Sequence, residues 1–205
     1  MRAAVAPTPR AFAASPERYT GVAIALHWLI GLGIIGQLAL GLAMTQLALA
    51  QMTEFKLYQL HKSIGITILL LVVLRVLWRL GHRPPKLPTE MPALERHAAE
   101  GTHWLLYLFM LGLPITGWML VSVSPYNLPT VLFGQIPWPH LPILATLSNK
   151  APVEAVFKAI HAYAAWLLIA IVAIHAAAAL RHHFIKRDNV LRRMLPPLTS
   201  MRRRP

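Results

Sequence analysis

Uncharged apolar stretches alternate with short polar or basic segments along the chain. Residues 19–53, 101–149 and 161–180 contain no Asp, Glu, Lys or Arg. The hydrocarbon core of a bilayer is about 30 Å thick, a distance that about 20 apolar residues cross as an α-helix. The pattern therefore predicts helices that span a membrane.

The breaks between these stretches predict four spans. The first covers 21–46, the second about 57–80 and the fourth about 156–183. Three charged residues interrupt the second span, namely Lys62, Arg75 and Arg79. The predicted fold is an all-α, integral-membrane four-helix bundle.

The uncharged run 101–149 cannot be one helix. Five prolines follow Val123, and proline breaks a helix because it lacks an N–H and clashes with the preceding turn. The third helix is expected to end there. The proline-rich remainder contains Tyr126 and Trp138, and it is predicted to form an ordered external loop near the interface, where amphipathic aromatic rings settle.

Composition supports a membrane protein and narrows its chemistry. Of 205 residues, 56% are hydrophobic and 13% are charged, whereas soluble domains are about one quarter charged. The absence of cysteine excludes disulfides, thiolate metal clusters and covalently attached c-type haem. The net charge of +13 would suit nucleic acid, but the basic residues lie at the ends of apolar segments and in tails. Membrane topology explains them, so no nucleic-acid partner is predicted.

Basic residues also predict the orientation of the bundle. Sixteen of the 20 Lys and Arg residues lie on the side that carries both termini. By the positive-inside rule, both termini of this multi-pass protein are expected in the cytoplasm. Residues 1–18 lack a continuous apolar segment and are interpreted as a disordered tail, 19–195 as the bundle, and 196–205 as a basic tail.

Four of the ten histidines lie in or at the mouths of predicted helices, where ionisable side chains suggest function: His27, His61, His161 and His175. His161 and His175 are 14 residues apart, which places them on one helix face and about 21 Å apart in depth. Helix direction matches His61 with His161 near the outer face of the membrane, the outer pair, and His27 with His175 near its cytoplasmic (inner) face, the inner pair. His82, His97 and His140 are instead expected in loops.

Two cross-helix histidine pairs are what two b-type haems require, because each iron takes two axial imidazoles. Zinc fits poorly, since two histidines leave it two ligands short. The residue four positions after each of these histidines is small, namely Gly31, Gly65, Ala165 and Ala179. Small residues leave room for a flat macrocycle, although close helix packing in membranes favours them too.

Further candidates surround the predicted pairs. Arg75 shares the face of His61 at the depth of the inner pair and would bind a haem propionate, or snorkel to the headgroups. His103 and His182 lie at the inner interface, where they would hold propionates or a quinone headgroup, or form an ordinary interfacial belt. Lys62 and Lys158 flank the outer pair, where they would neutralise propionates or steer a small anion.

The sequence resembles the bacterial cytochrome b-561 family of four-helix dihaem membrane proteins. The resemblance rests on IALHWLIGL (24–32), LHKSIGITILLLVVLRVLWRL (60–80), HWLLYLFMLGLPITGWML (103–120) and IHAAAALRHHFIKRDNVLRRML (174–195). It implies two non-covalent haem b groups bound by His27, His61, His161 and His175. It also implies electron transfer, since known members include one that oxidises superoxide and reduces ubiquinone.

The sequence is compatible with three functions. The first is an oxidoreductase that takes electrons from a small donor such as superoxide and reduces ubiquinone. The second is a haem-b relay or anchor subunit of a hydrogenase or formate dehydrogenase type complex, as in related dihaem cytochromes. The third is a histidine-lined transporter without haem. The short loops favour the first, because they leave little surface for a large partner; the sequence is also compatible with a homodimer.

Overall fold

The computed structural model describes residues 18–89 and 91–196, and four long helices dominate it. Each of the four is long and apolar enough to cross a membrane. The predicted membrane four-helix architecture is therefore confirmed. The helices are α1 (Gly21–Gln46), α2 (Gln51–Gly81), α3 (Ala93–Val123), the short α4 (Pro142–Ala145) and the last long helix, α5 (Ala151–Arg181).

Helix bounds match the apolar pattern at α1 and at the end of α3, but α2 and α5 begin about one and a half turns earlier than predicted. Their first turns contain Glu54 and Glu154, whose charges complement the positive end of a helix. Hydropathy marks the part of a helix that lipid surrounds, and the helix continues beyond it. The loop prediction for His97 is wrong for the same reason, because that residue lies exposed in the polar first turns of α3.

Close packing runs in chain order, α1 against α2, α2 against α3, and α3 against α5. Ile30 and Val72 are the most deeply buried members of the core. Many leucines elsewhere on the long helices are exposed, as a surface surrounded by lipid tails requires. We call the end of the bundle where α1 begins and α5 ends the terminal end, and the opposite end the loop end.

The segment between α3 and α5 is ordered, as predicted, and forms a small cap over the loop end. Strands β1 (Thr130–Leu132) and β2 (Ile136–Trp138) make an antiparallel hairpin. The Ser63 hydroxyl accepts a hydrogen bond from the Phe133 N–H (2.9 Å), and the Ser122 hydroxyl accepts one from the Leu141 N–H (2.9 Å). Two helices therefore anchor the cap by hydroxyls that lie inside the protein.

Residues 182–195 fold back across the terminal end, and we call them the strap. A π-helix (His182–Lys186) continues α5, and a 3₁₀-helix (Arg192–Met194) follows. Indole Nε1 of Trp28 donates to the Met194 carbonyl (2.8 Å), which joins the strap to α1. The predicted tails lie outside the described residues, except for Arg18 and Pro196.

Candidate functional site

The bundle brings the four helix histidines together as two pairs. The ring centroids of His27 on α1 and His175 on α5 are 6.2 Å apart, and those of His61 on α2 and His161 on α5 are also 6.2 Å apart. These are the two pairings predicted from helix direction. The pairs link α5 to α1 and to α2, whereas the closest helix packing of α5 is against α3.

The spacing suits a metal held between two imidazoles. Imidazole nitrogens bind metals at about 2 Å, so two rings on opposite sides of one metal have centroids about 6 Å apart. All four rings are partly buried. His61 Nδ1 is buried and has no hydrogen-bond partner in the described part of the chain. A Cβ on Gly31, one turn after His27, would meet nothing within 4 Å, whereas one on Gly65 would lie 3.3 Å from Gln37 Nε2.

The loop-end pair has a defined orientation because Thr116 holds His161. The Thr116 hydroxyl lies 3.0 Å from His161 Nδ1 and donates its own proton to the Leu113 carbonyl at 2.8 Å. Its oxygen therefore accepts from a protonated Nδ1, which leaves His161 Nε2 as the free ligand nitrogen. Gly117 adds a steric limit, since a Cβ there would lie 3.1 Å from His161 Cε1.

The two lysines predicted beside this pair differ in their surroundings. Lys62, next to His61, is partly buried, and its Nζ donates to the Pro129 carbonyl in the cap (3.3 Å). Lys158 is exposed on α5, one turn before His161. Lys62 therefore ties the cap to α2, while Lys158 presents its charge to solvent.

The terminal-end pair includes a third imidazole. The ring of His103 lies 5.6 Å from that of His175, centroid to centroid, and Trp28 packs edge-on against His27 at 5.4 Å. Arg75 Nε donates to the Tyr107 hydroxyl (3.2 Å), so this arginine is held inside the bundle and does not extend freely toward the headgroups. Three imidazoles and a guanidinium therefore lie at this end of the bundle.

His182, the remaining candidate, is engaged by the strap. Its Nδ1 lies 2.5 Å from Asp188 Oδ2, within a turn in which the Val190 N–H donates to Asp188 Oδ1 (3.0 Å). Partial burial opposes ionisation, but these two hydrogen bonds and the positive charge nearby outweigh it and lower the pKa of Asp188 below its usual value. The structure therefore places His182 in a local hydrogen bond with Asp188 that organises the strap.

Sequence reasoning missed Thr116, Gly117 and Tyr107, each of which contacts a candidate residue from α3. Helical spacing relates residues on one helix, but it does not say which face a third helix turns toward a histidine. A threonine or glycine within an apolar run carries no distinctive signal of its own, since small residues are common in membrane helices. His103 was predicted at the interface, and its proximity to His175 was also missed.

Comparison with known proteins places this geometry in context. Residues 18–197 match the family model described as prokaryotic cytochrome b561. The chain is 37% identical over 190 residues to "Cytochrome b561 homolog 2" of Escherichia coli, covering 92% of this chain and 97% of that protein. It is 32% identical over 186 residues to "Probable superoxide oxidase CybB" of Yersinia pestis, with 88% and 97% covered. A third relative, "Cytochrome b561 homolog 1" of E. coli, is 27% identical over 180 residues, with 88% and 98% covered.

Proposed function

The chain belongs to the prokaryotic cytochrome b561 family of membrane haem proteins that transfer electrons, and we propose that it holds two haem b groups and passes electrons from superoxide to ubiquinone. His27 and His175 are the proposed axial ligands of one haem, and His61 and His161 those of the other. In the overall reaction two superoxide ions lose one electron each and leave as O₂, while ubiquinone takes up two electrons and two protons.

The observation that carries the proposal is the presence of two histidine pairs with the same centroid distance at two depths. Each pair has the 6.2 Å spacing that suits a metal with two axial imidazoles. The two depths are about 21 Å apart along α5, so the pairs give electrons a route along the membrane normal. A haem, when bound, supplies an iron that gains and loses one electron between two imidazoles.

The chain's own residues position these ligands and limit access to them. Thr116 fixes the tautomer of His161, and the cap with its anchors Ser63 and Ser122 covers the loop end. Arg75 and His103 lie beside the terminal-end pair, where a guanidinium would neutralise propionates. Both termini are proposed to be cytoplasmic and the membrane to be the bacterial inner membrane, on the distribution of Lys and Arg.

Superoxide is proposed as the donor at the loop end. A relative that is 32% identical carries the name probable superoxide oxidase. Lys62 follows His61 directly and Lys158 lies one turn before His161, so positive charge stands over this pair. Positive charge over a low-dielectric wall attracts a small anion.

Ubiquinone is proposed as the acceptor, with Arg75, His103 and His182 as candidates for its binding or for holding propionates. His182 would act while its Nδ1 stays bonded to Asp188. Addition of a quinone analogue should shift the spectrum or midpoint potential of one haem, and that haem marks the acceptor site. Replacement of Arg75 or His182 should then slow quinone reduction while both haems remain bound.

The test is to expose the purified, oxidised protein to a superoxide flux and follow haem reduction by stopped-flow absorbance. Reduction should be fast and should slow with ionic strength, because salt limits the reach of the field to about 10 Å at 0.1 M. The double variant K62Q/K158Q should reduce more slowly, with a flatter salt dependence and unchanged haem content. The proposal would be contradicted if the haem stayed oxidised under superoxide but was reduced by a dehydrogenase that co-purifies with the native protein. The protein would then be a relay subunit of that dehydrogenase.

A further inference from the structure

A pocket opens at the terminal end between the start of α1 and the end of α2. Three arginines line it, Arg75, Arg79 and Arg83, and they recur every fourth residue along α2 and its extension. Arg75 is the deepest, and Arg83 is exposed beyond the helix end. Residues four apart lie above one another on a helix, so the side chains form a ladder of positive charge that rises toward the membrane surface.

These arginines have no acidic partner in the described residues. The acidic side chains that form ion pairs within 18–89 and 91–196 are Glu95 and Asp188, which bind Arg181, Lys186 and His182. Arg79 instead lies over the ring of Tyr107, with its Cζ 5.6 Å from the centroid. A guanidinium inside a protein normally acquires an anion, and residues 18–89 and 91–196 supply none to the pocket.

Two of the other polar residues of the pocket, Thr20 and His82, already have hydrogen-bond partners, so the arginines and the Tyr19 phenol are the donors that face a ligand. The Thr20 hydroxyl accepts from the Ala23 N–H (3.2 Å) and from Trp78 Nε1 (2.9 Å). The His82 ring stacks on that of Trp78 at a centroid distance of 3.9 Å, and His82 Nδ1 is hydrogen-bonded to the Trp78 backbone carbonyl. Burial raises the pKa of the Tyr19 phenol although Arg79 and Arg75 oppose this, so Tyr19 remains a neutral donor.

An apolar surface runs from the pocket into the membrane. Leu74 and Leu70 precede Trp78 by one and two turns on the same face of α2, and they are 49% and 55% exposed. Trp78 and Tyr19 at the pocket rim are residue types that settle at the level of lipid headgroups. The site thus presents positive charge at the interface and a lipid-facing apolar stripe directly beneath it.

We propose that this pocket binds the phosphate of an anionic phospholipid, whose acyl chains lie along the Leu70–Leu74 stripe. The headgroup phosphate pairs with Arg79 and Arg83, while Arg75 stays below them on the Tyr107 hydroxyl, beside the terminal-end histidines. A basic pocket between helices at a membrane surface is the arrangement that recognises anionic headgroups. The inference goes beyond electron transfer, since it concerns a lipid held as part of the protein.

The experiment compares lipid binding by the full chain and by variants with matched charge changes. The haem-loaded protein in detergent is mixed with equal amounts of phosphatidylglycerol and phosphatidylcholine, and bound lipids are counted by native mass spectrometry. The wild type should retain phosphatidylglycerol preferentially. The variant R79Q/R83Q should bind it about thirtyfold more weakly, about fivefold per arginine. The control R181Q/K186Q removes two positive charges at the same end, where both pair with Glu95, and should change binding little.

Four outcomes would overturn the proposal. Equal retention of the two lipids by the wild type would show that the headgroup is not recognised. An equal loss of phosphatidylglycerol binding in the control R181Q/K186Q would show that binding depends only on net charge. Displacement of phosphatidylglycerol by millimolar inorganic phosphate would identify a free-phosphate site. A loss of haem in R79Q/R83Q would show that these arginines bind haem propionates and not a lipid. The variant R79K/R83K, which keeps the charge, should retain most of the lipid binding, and the wild-type preference tests the proposal even if R79Q/R83Q fails to fold.

Discussion

The two histidine pairs have the same centroid distance, but their surroundings differ. At the loop end, the Thr116 hydroxyl bonds His161, and the hairpin cap covers that end. At the terminal end, His175 has a third imidazole, His103, within 5.6 Å and the charge of Arg75 nearby. The first environment fixes one ligand geometry, whereas the second gathers groups that bind protons or anions.

This difference suggests a division of labour along the membrane normal. A site that only receives electrons needs fixed ligands and restricted access, because a small donor reacts at the edge of the protein. A site near quinone chemistry must also handle protons and negative charge, for which the additional imidazole of His103 and the guanidinium of Arg75 are suited. Each prediction below changes one end of the bundle and leaves the other as an internal reference.

The largest expected effect is the loss of one of the two haems when either histidine of a pair is replaced. His61→Ala or His161→Ala should remove the loop-end haem alone, and His27→Ala or His175→Ala the terminal-end haem alone, because loss of one of its two iron ligands weakens the binding of a haem that no covalent bond retains. Haem per chain should fall from two to one, measured by pyridine haemochrome assay with a redox titration to identify the survivor. Loss of the same haem in His61→Ala and His175→Ala would show that the depth pairing is wrong.

A smaller effect is expected from Gly117→Ala, which should disturb the loop end only. The added Cβ would lie 3.1 Å from His161 Cε1 and force the ring to move, and overpacking of this kind costs about 1 to 3 kcal/mol. The loop-end haem should transfer faster to an apoprotein acceptor. Gly112→Ala is the matched control on α3, because its Cβ would meet nothing within 4 Å. Equal haem loss in both variants would attribute the effect to α3 itself.

Thr116→Val should alter the loop-end haem without displacing it. The variant removes the acceptor for His161 Nδ1–H, and a neutral hydrogen bond contributes roughly 0.5–1.5 kcal/mol. The imidazole becomes a less basic ligand, so the midpoint potential of the loop-end haem should rise while the other stays constant. Thr67→Val, which removes a hydroxyl bonded to the Ser63 carbonyl of its own helix, is the control. An unchanged potential would exclude Thr116 as the orienting group.

The smallest effect concerns the strap at the terminal end. The pKa of Asp188 is lowered in the folded protein, so its contribution to strap docking is present at neutral pH and is lost as the pH falls through that lowered value. The Asp188 side chain is partly exposed, so solvent screens its interactions and the contribution should be below about 1 kcal/mol. Asp188→Asn should raise hydrogen exchange across residues 188–195 at neutral pH. Glu100→Gln, the same charge change at an exposed site on α3, should leave that exchange unaltered.

At both ends of the bundle, the sequence predicted the paired histidines but not the residues that α3 places beside them. The four spans followed from hydropathy, and the cross-helix proximity of both histidine pairs followed from helix direction and a rise of about 1.5 Å per residue. Thr116 and His103 could not be placed in this way, because their contacts depend on the rotation of α3 about its axis. That rotation is set by packing among Leu113, Ile68 and Leu168, and apolar residues on every face of a membrane helix leave no stripe from which to read it.

The strap also brings the two ends of the described chain together. The Arg18 guanidinium donates to the Leu195 carbonyl at 2.7 Å, so a short peptide could join these points, and the chain could instead be opened between α2 and α3. In that circular permutant the order would be α3, α5, α1, α2, with the new termini on the same side of the membrane as the old ones. Every helix would keep its direction, because an even number of spans lies on either side of the cut. The bundle is in this sense a closed ring of two helix hairpins, and either hairpin can come first.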